Sequence, residues 1–133
     1  MTRQDEHRAL YQSYLEACNA HDFPRMQTFY TPTLVVNDVP MERATVTTQF
    51  EPVVAAFPDW HWKVRHQVVD DDYIVLHFDV TGTHRGTFQG IEATGRRIAI
   101  KQFTLYQVEG DQFTAVWDLA DMDEVVRQIA AVG

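Results

Sequence analysis

Tyr106-Gln107-Val108-Glu109-Gly110-Asp111-Gln112-Phe113-Thr114-Ala115-Val116-Trp117-Asp118 reads as two strands around a tight turn, the second ending on a carboxylate. Strand side chains alternate faces with period two. Gln102, Thr104 and Tyr106 therefore share a face before the turn, and Thr114, Val116 and Asp118 share one after it. If the turn pairs the strands, Gln102 and Asp118 lie on neighbouring strands of one surface. A carboxylate beside an amide on an otherwise apolar surface is costly to bury without a purpose. Asp118 is thus the first candidate for acid–base work.

Outward from this hairpin, the pattern is helices first, then strands, then a helix. Apolar spacing of three and four predicts a helix from about Gln4 to Ala20, through Leu10, Tyr14 and Cys18 or through Tyr11 and Leu15. Asp22 followed by Pro24 starts a short second helix. Leu34 to Asp38 is a brief strand ending in turn formers. A third helix runs from near Arg43 to Phe57, kinked or restarted by Pro52. Strands follow near His61–Val69, Tyr73–Thr83, Arg97–Val108 and Gln112–Leu119, with a turn at Asp70-Asp71-Asp72. The Gly-bearing stretch from Arg85 to Gly95 is a loop expected to cross a pocket mouth. Asp121 caps a last helix from Met122 to about Ala131. Helices that cover one face of a run of antiparallel strands make an α+β fold. A curved sheet closed by helices is a cone with an interior pocket.

The 133 residues make one domain, 1–133, long enough for a core. A net charge of -8 with scattered Lys and Arg argues against nucleic acid or an anionic membrane as partner. Cys18 is the only cysteine, which excludes an intrachain disulfide. The N-terminus is polar and no run has transmembrane length, so the default location is the cytoplasm. No phosphate loop, Ser-His-Asp spacing or flavin or nicotinamide fingerprint stands out, which favours chemistry without a cofactor. The six histidines show no helical i, i+4 pair, and no metal site is expected. His61 and His66, five apart in a strand, are read as facing opposite sides, and His77 as facing outward or into a subunit interface.

Several segments resemble one family. Tyr14 to Phe23 is similar to the first-helix motif of NTF2-like proteins. Ala56-Phe57-Pro58-Asp59-Trp60 resembles the "AFPD" segment of the SnoaL-like polyketide cyclases. Gly82-Thr83-His84-Arg85-Gly86-Thr87-Phe88-Gln89-Gly90-Ile91, with Thr94-Gly95-Arg96-Arg97, resembles their "GTHxGxFxGIxxTGR" stretch, and Trp117-Asp118 with Asp121-Met122 their closing segment. The resemblance implies an NTF2-like cone: a curved antiparallel sheet, helices on its concave face, and an enclosed pocket. It places the cyclases' acid–base aspartate on Asp118 and their pocket glutamine on Gln102. Two pocket histidines of the family fall on Thr104 and Val116, which makes this pocket less polar. Similarity to the related ketosteroid isomerases matches their catalytic tyrosine to Tyr14 and their general base to Asp38.

Each of these residues also has a plainer reading. Asp118 in an apolar pocket would have its pKa raised by desolvation, toward the range useful for moving a proton from carbon. It could equally be a strand-end residue bonded to the next turn. Tyr14 would donate to a carbonyl oxygen as charge develops, or simply fill the core. Asn37 and Asp38 suit a turn, and a regular strand lets only one of them face the pocket. His84 borders the expected mouth loop. Trp60, Phe78 and Phe88 would line an aromatic pocket or belong to the core. The leading expectation is a cofactor-independent cyclase or isomerase. It would act on a small hydrophobic carbonyl compound, such as a polyketide-type secondary metabolite. A non-catalytic ligand-binding or interaction module, and a hydrolase or hydroxylase-like enzyme using the same pocket, stay open. Phe103, Leu105 and Trp117 on an outer face predict a homodimer or larger homo-oligomer.

Overall fold

In the computed structural model, which describes residues 2–131, helices pack on one face of a six-stranded curved, unclosed sheet. Helix α1 spans Arg3–Asn19 and opens with a capping box. The Thr2 hydroxyl accepts from the Asp5 amide at 3.1 Å, and the Asp5 carboxylate accepts from the Thr2 amide at 3.2 Å. The buried stripe of α1 is His7, Tyr11, Tyr14, Ala17 and Cys18. Helix α2, Phe23–Gln27, is capped by Asp22 with Pro24 in its first turn, where a missing N–H costs nothing.

Strand β1, Tyr30–Val36, turns through Asn37 and Asp38 into β2, Val39–Glu42. Both turn residues take positive φ, 50° and 70°. This two-residue left-handed turn matches the strand twist, and Asn and Asp tolerate it better than other side chains. The second strand of this hairpin was not expected. Its signal was Asn-Asp between the apolar Val35-Val36 and Val39. The single expected third helix is two, α3 (Arg43–Thr48) and α4 (Glu51–Ala56), and Pro52 sits in the first turn of α4.

Strands β3 (His61–Asp70), β4 (Tyr73–Thr83), β5 (Arg97–Glu109) and β6 (Gln112–Ala120) and helix α5 (Met122–Ala130, capped by Asp121) lie where the alternation and cap signals put them. The strand order is β2-β1-β6-β5-β4-β3. Every pairing is antiparallel except β1 with β6, which run parallel. Two register shifts change which residues share a face. One falls between Val64 and His66 on β3. The other, opposite Gln107 and Val108, leaves Thr114 unpaired on β6. Phe113 therefore joins Val116 and Asp118 on the inner face, and Thr114 leaves the set expected from strict alternation. Likewise His61 and His66 share the outer face instead of opposing each other.

The inner face carries Ile74, Leu76, Phe78 and Val80 of β4 and Ile98, Ile100 and Tyr106 of β5, all buried under the helices. The loop between β4 and β5 is tied down at both ends. His84 N–H donates to the Arg96 carbonyl and the Gly95 amide to the His84 carbonyl, each at 2.8 Å. The amides of Arg85 and Gly86 both donate to the Ala56 carbonyl. A Cβ on Gly86 would stand 2.8 Å from the Ala55 carbonyl oxygen, so only glycine lets the loop approach this closely. Among the described residues no helix is long and apolar enough to cross a membrane.

Candidate active site

The helices and the inner sheet face enclose a cavity of about 310 Å³. Its walls come from α1 (Tyr11, Tyr14, Cys18), β1 (Tyr30), the α3–α4 segment (Val46, Phe50, Val53), β3 (Trp62) and β5 (Gln102, Thr104, Tyr106). Four tyrosines form its most buried part. Tyr11, Tyr14, Tyr30 and Tyr106 are at most 6% exposed, and their rings meet edge-on or tilted, with Tyr14 and Tyr106 centroids 5.8 Å apart. The hydroxyls of Tyr14 and Tyr30 are hydrogen-bonded at 2.5 Å. Burial removes these phenols from water and pushes their pKa values up, and the neighbouring Cys18 thiol adds to the rise, while the bond from Tyr14 works against it at Tyr30 and the bond from Tyr11 at Tyr106. They stay protonated near neutrality and can act as donors. The same burial pushes the Cys18 thiol up to about 12, against the opposing bond from Tyr14. The sequence reading chose Tyr14 alone. The alternation that placed Tyr106 beside Thr104, and the i, i+3 step from Tyr11 to Tyr14, were the signals for two more. Tyr30 carried none.

One wall bears a polar chain. Trp62 Nε1–H donates to Gln102 Oε1 at 3.2 Å, and Gln102 Nε2 donates to Thr104 Oγ1 at 3.0 Å. One amide hydrogen of Gln102 and the hydroxyl hydrogen of Thr104 are left to serve a ligand. Thr104 pairs in register with Asp118 across β5 and β6, while Gln102 pairs with Ala120.

Asp118 lines the cavity, yet it is exposed to solvent on its other side. It stands at the rim with Asn37 and Met122, not at an apolar base as the desolvation argument required. Its Oδ1 accepts from Asn37 Nδ2 at 2.7 Å, and its backbone N–H donates to Asn37 Oδ1 at 3.0 Å. Asp118 Oδ2 has no hydrogen-bond partner among the described residues and is open to a ligand. Among the described residues it is the only carboxylate that lines the cavity.

The structure brings Asp118, Gln102, Thr104, Tyr14, Asn37, Trp60 and Phe78 around this one cavity. Three other expected residues stand apart. Asp38 points to the outer face, where its Oδ1 accepts from Trp117 Nε1 at 2.9 Å; the left-handed turn sends Asn37 inward and Asp38 outward. His84 is fully buried against Phe57, and its Nδ1 accepts from the Thr94 amide at 3.2 Å, so it clamps the two ends of the loop. Phe88 packs edge-on against Phe57 beneath that loop. No residue of the stretch from Arg85 to Gly95 lines the cavity, which corrects the reading of it as a mouth loop. Asp59 of the "AFPD" segment is also structural: its carboxylate accepts from the Thr83 amide at 2.6 Å and the Thr83 hydroxyl at 2.7 Å.

Solved structures share this architecture throughout. AclR, a candidate hydroxylase of Streptomyces galilaeus, superposes with a TM-score of 0.86 at 23% identity, covering 98% of this chain and 99% of that one. IdmH, a candidate polyketide cyclase of Streptomyces antibioticus, gives 0.84 at 20% identity, over 93% of this chain and 98% of that one. A SnoaL-like polyketide cyclase of Agrobacterium tumefaciens gives 0.77 at 21% identity, over 91% and 95%. At these identities the likeness shows the NTF2-like fold. No curated protein matches the sequence. The family model of SnoaL-like polyketide cyclases matches residues 8–129. With the motifs, the fold and nearly the full length in agreement, the chain belongs to the SnoaL-like polyketide cyclase family, a membership that supports a function of the cyclase type.

Proposed function

We propose that the chain is a cofactor-independent acid–base catalyst, a cyclase or isomerase, acting on a hydrophobic carbonyl compound of polyketide type. One observation carries this reading. A single carboxylate sits on the rim of an aromatic cavity, held through Oδ1 by Asn37 while Oδ2 is open. A carbon acid seated in the cavity would present its proton to Asp118 Oδ2. As the bond to hydrogen breaks, negative charge moves to the carbonyl oxygen. The free amide hydrogen of Gln102 and the hydroxyl of Thr104 support that charge from the wall. The Tyr14–Tyr30 pair supports it from the buried end, since its internal bond uses one of its two hydroxyl hydrogens. Return of the proton from Asp118 to another carbon or to oxygen completes an isomerisation or ring closure without net charge.

The test is Asp118→Asn, followed by deuterium exchange into a panel of enolisable polycyclic ketones by NMR. This readout needs no knowledge of the final product. The amide keeps the shape and the bond to Asn37 but accepts no proton. Exchange should fall by roughly 10²–10⁴, the worth of a positioned proton transfer, with ligand affinity and melting temperature nearly unchanged. Unaltered exchange in the folded variant would remove Asp118 from the chemistry. The exposure of Asp118 favours a second reading, a ligand-binding module without turnover. On that reading neither protein catalyses exchange, though both bind.

A further inference from the structure

We infer that Trp62 is a positioning residue that fixes the polarity of the cavity wall and so sets its preference for a carbonyl acceptor; the inference rests on the role proposed above for Gln102 and Thr104. An indole N–H donates and never accepts. Trp62 Nε1 meets the Gln102 side chain at 3.2 Å, so only the amide oxygen can stand there. An amide turned over would set two N–H groups against each other. With the oxygen at Trp62, Gln102 Nε2 faces Thr104 Oγ1 at 3.0 Å, and the hydroxyl must accept from it. Each bond thus sets the direction of the next. The Thr104 hydroxyl hydrogen and the second Gln102 amide hydrogen stay free. Reversal of the amide would reverse the wall: Thr104 would donate to Gln102 Oε1 and spend its hydrogen there. Thr104 is buried, with Leu76 opposite it on β4 and Asp118 opposite it on β6. The donor that Trp62 frees is therefore the cross-strand neighbour of the proposed base.

The fold explains why the residue is a tryptophan. Trp62 is on β3 and Gln102 on β5, with β4 between them; Trp62 lies opposite Val80 and Gln102 opposite Phe78. Two strand spacings are about 10 Å, and the indole spans that distance with a group that only donates. A tyrosine hydroxyl both donates and accepts, so it would tolerate either end of the amide. Trp62 is itself held firmly. Its backbone N–H donates to Asn19 Oδ1 at 2.9 Å, and its carbonyl accepts from Asn19 Nδ2 at 3.0 Å, which ties β3 to the end of α1. Its ring meets Phe50 and Trp60 edge-on, with centroids 5.9 and 6.3 Å away. A ketone, ester or enolate oxygen brings lone pairs to hydrogens that are already aimed, and needs no reorientation of the wall as negative charge develops.

Infrared difference spectra of bound α-tetralone, labelled with carbon-13 at its carbonyl, read the wall without turnover. In the full unmodified chain the carbonyl stretch should lie below its position in an apolar solvent, because donors to the oxygen weaken the bond. Trp62→Phe should move the stretch part of the way back, or split it, as the freed amide takes both orientations. Gln102→Leu should move it further. Trp62→Phe added to Gln102→Leu should change nothing more, because the first residue acts through the second. Gln102→Glu, measured above neutral pH, keeps an oxygen at Trp62 and puts a second one where the nitrogen stood; it should also move the stretch back, and it holds the test open if Trp62→Phe folds poorly. In proton exchange Trp62→Phe should lower kcat about tenfold with KM nearly constant, less than the about 10²–10³ that loss of an oxyanion donor costs. A stretch unmoved by Trp62→Phe or by the Gln102 variants, or a Trp62 effect that persists without Gln102, would overturn the inference. A stretch that responds as described, in a chain that catalyses no exchange, would support it and sink the acid–base reading alone.

Discussion

Asn37 and Asp118, 81 residues apart, clasp each other with two hydrogen bonds, side-chain amide to carboxylate at 2.7 Å and backbone amide to side-chain carbonyl at 3.0 Å. The clasp joins the β1–β2 turn to the end of β6 and fixes the direction in which Asp118 Oδ2 points. Asn37 is suited to it twice over, since its backbone is left-handed and its side chain both donates and accepts. Asn37→Gly keeps the turn and deletes the clasp. Proton exchange catalysed by the variant should drop by about 10–100-fold through lost orientation, with kcat affected more than KM. The variant should stay folded, because glycine takes positive φ without strain. Kinetics and a thermal melt on one preparation check both halves.

Tyr14→Phe removes the bond to Tyr30 and leaves the packing. Stability should fall by about 1 kcal/mol, the net worth of a hydrogen bond, measured by denaturant unfolding. If the phenol pair supports an enolate oxygen, exchange activity should fall as well, and Tyr30→Phe should reproduce both effects.

Alkaline titration gives a separate check on the tyrosine cluster. Four of the chain's five tyrosines have folded-state pKa values raised by burial. A raised folded pKa contributes stability that is complete below the unfolded value, about 10, and is lost as pH rises above it. Phenolate absorbance should therefore appear mainly with unfolding above about pH 10, as a cooperative step and not as a set of independent ionisations.

On the acid side the sign reverses. Bonds from Lys101 and then Arg65 hold Asp79 down to about 2 from its ordinary 3.8. Asp59 is pushed up by partial burial, but the Thr83 hydroxyl and amide outweigh this and lower it overall. Depressed carboxylates contribute stability that is present above their unfolded pKa and lost as pH falls through the folded one. Stability should decline between about pH 4 and the folded value of about 2. Lys101→Met with Arg65→Met should flatten the Asp79 part of that decline.

The outer sheet face is the proposed seat of a second copy of the chain. Phe103 is 54% exposed, Leu119 76% and Val68 58%, and Tyr73 and Val75 continue the patch. A contiguous apolar surface of this kind marks an interface, and a self-complementary one closes by two-fold symmetry. Sedimentation at micromolar concentration should show a dimer, and Phe103→Lys should shift it to monomer. A monomeric parent chain would remove the proposal.

Much of this protein follows from interactions that span only a few residues. The Thr2–Asp5 box, the caps at Asp22 and Asp121, and the restart at Pro52 are short-range hydrogen bonds and steric exclusions, so the residues themselves specify them. Period-two alternation put Gln102, Thr104, Tyr106 and Asp118 on one face for the same reason. The motif resemblance identified the fold without placing its parts: it drew His84, Phe88 and Asp38 toward the pocket, and none of the three lines it. Tertiary structure alone decided the rest. The shifts at Arg65 and Thr114 arise from cross-strand pairing, and each reverses the phase of everything beyond it, which is how His66 reaches His77 and Phe113 joins the inner face. Whether Asn37 or Asp38 turns inward depends on the handedness of one turn. Whether Asp118 is buried depends on how far the helices extend over the sheet. Burial is a property of what packs above a residue, and those partners lie tens of positions away in the chain.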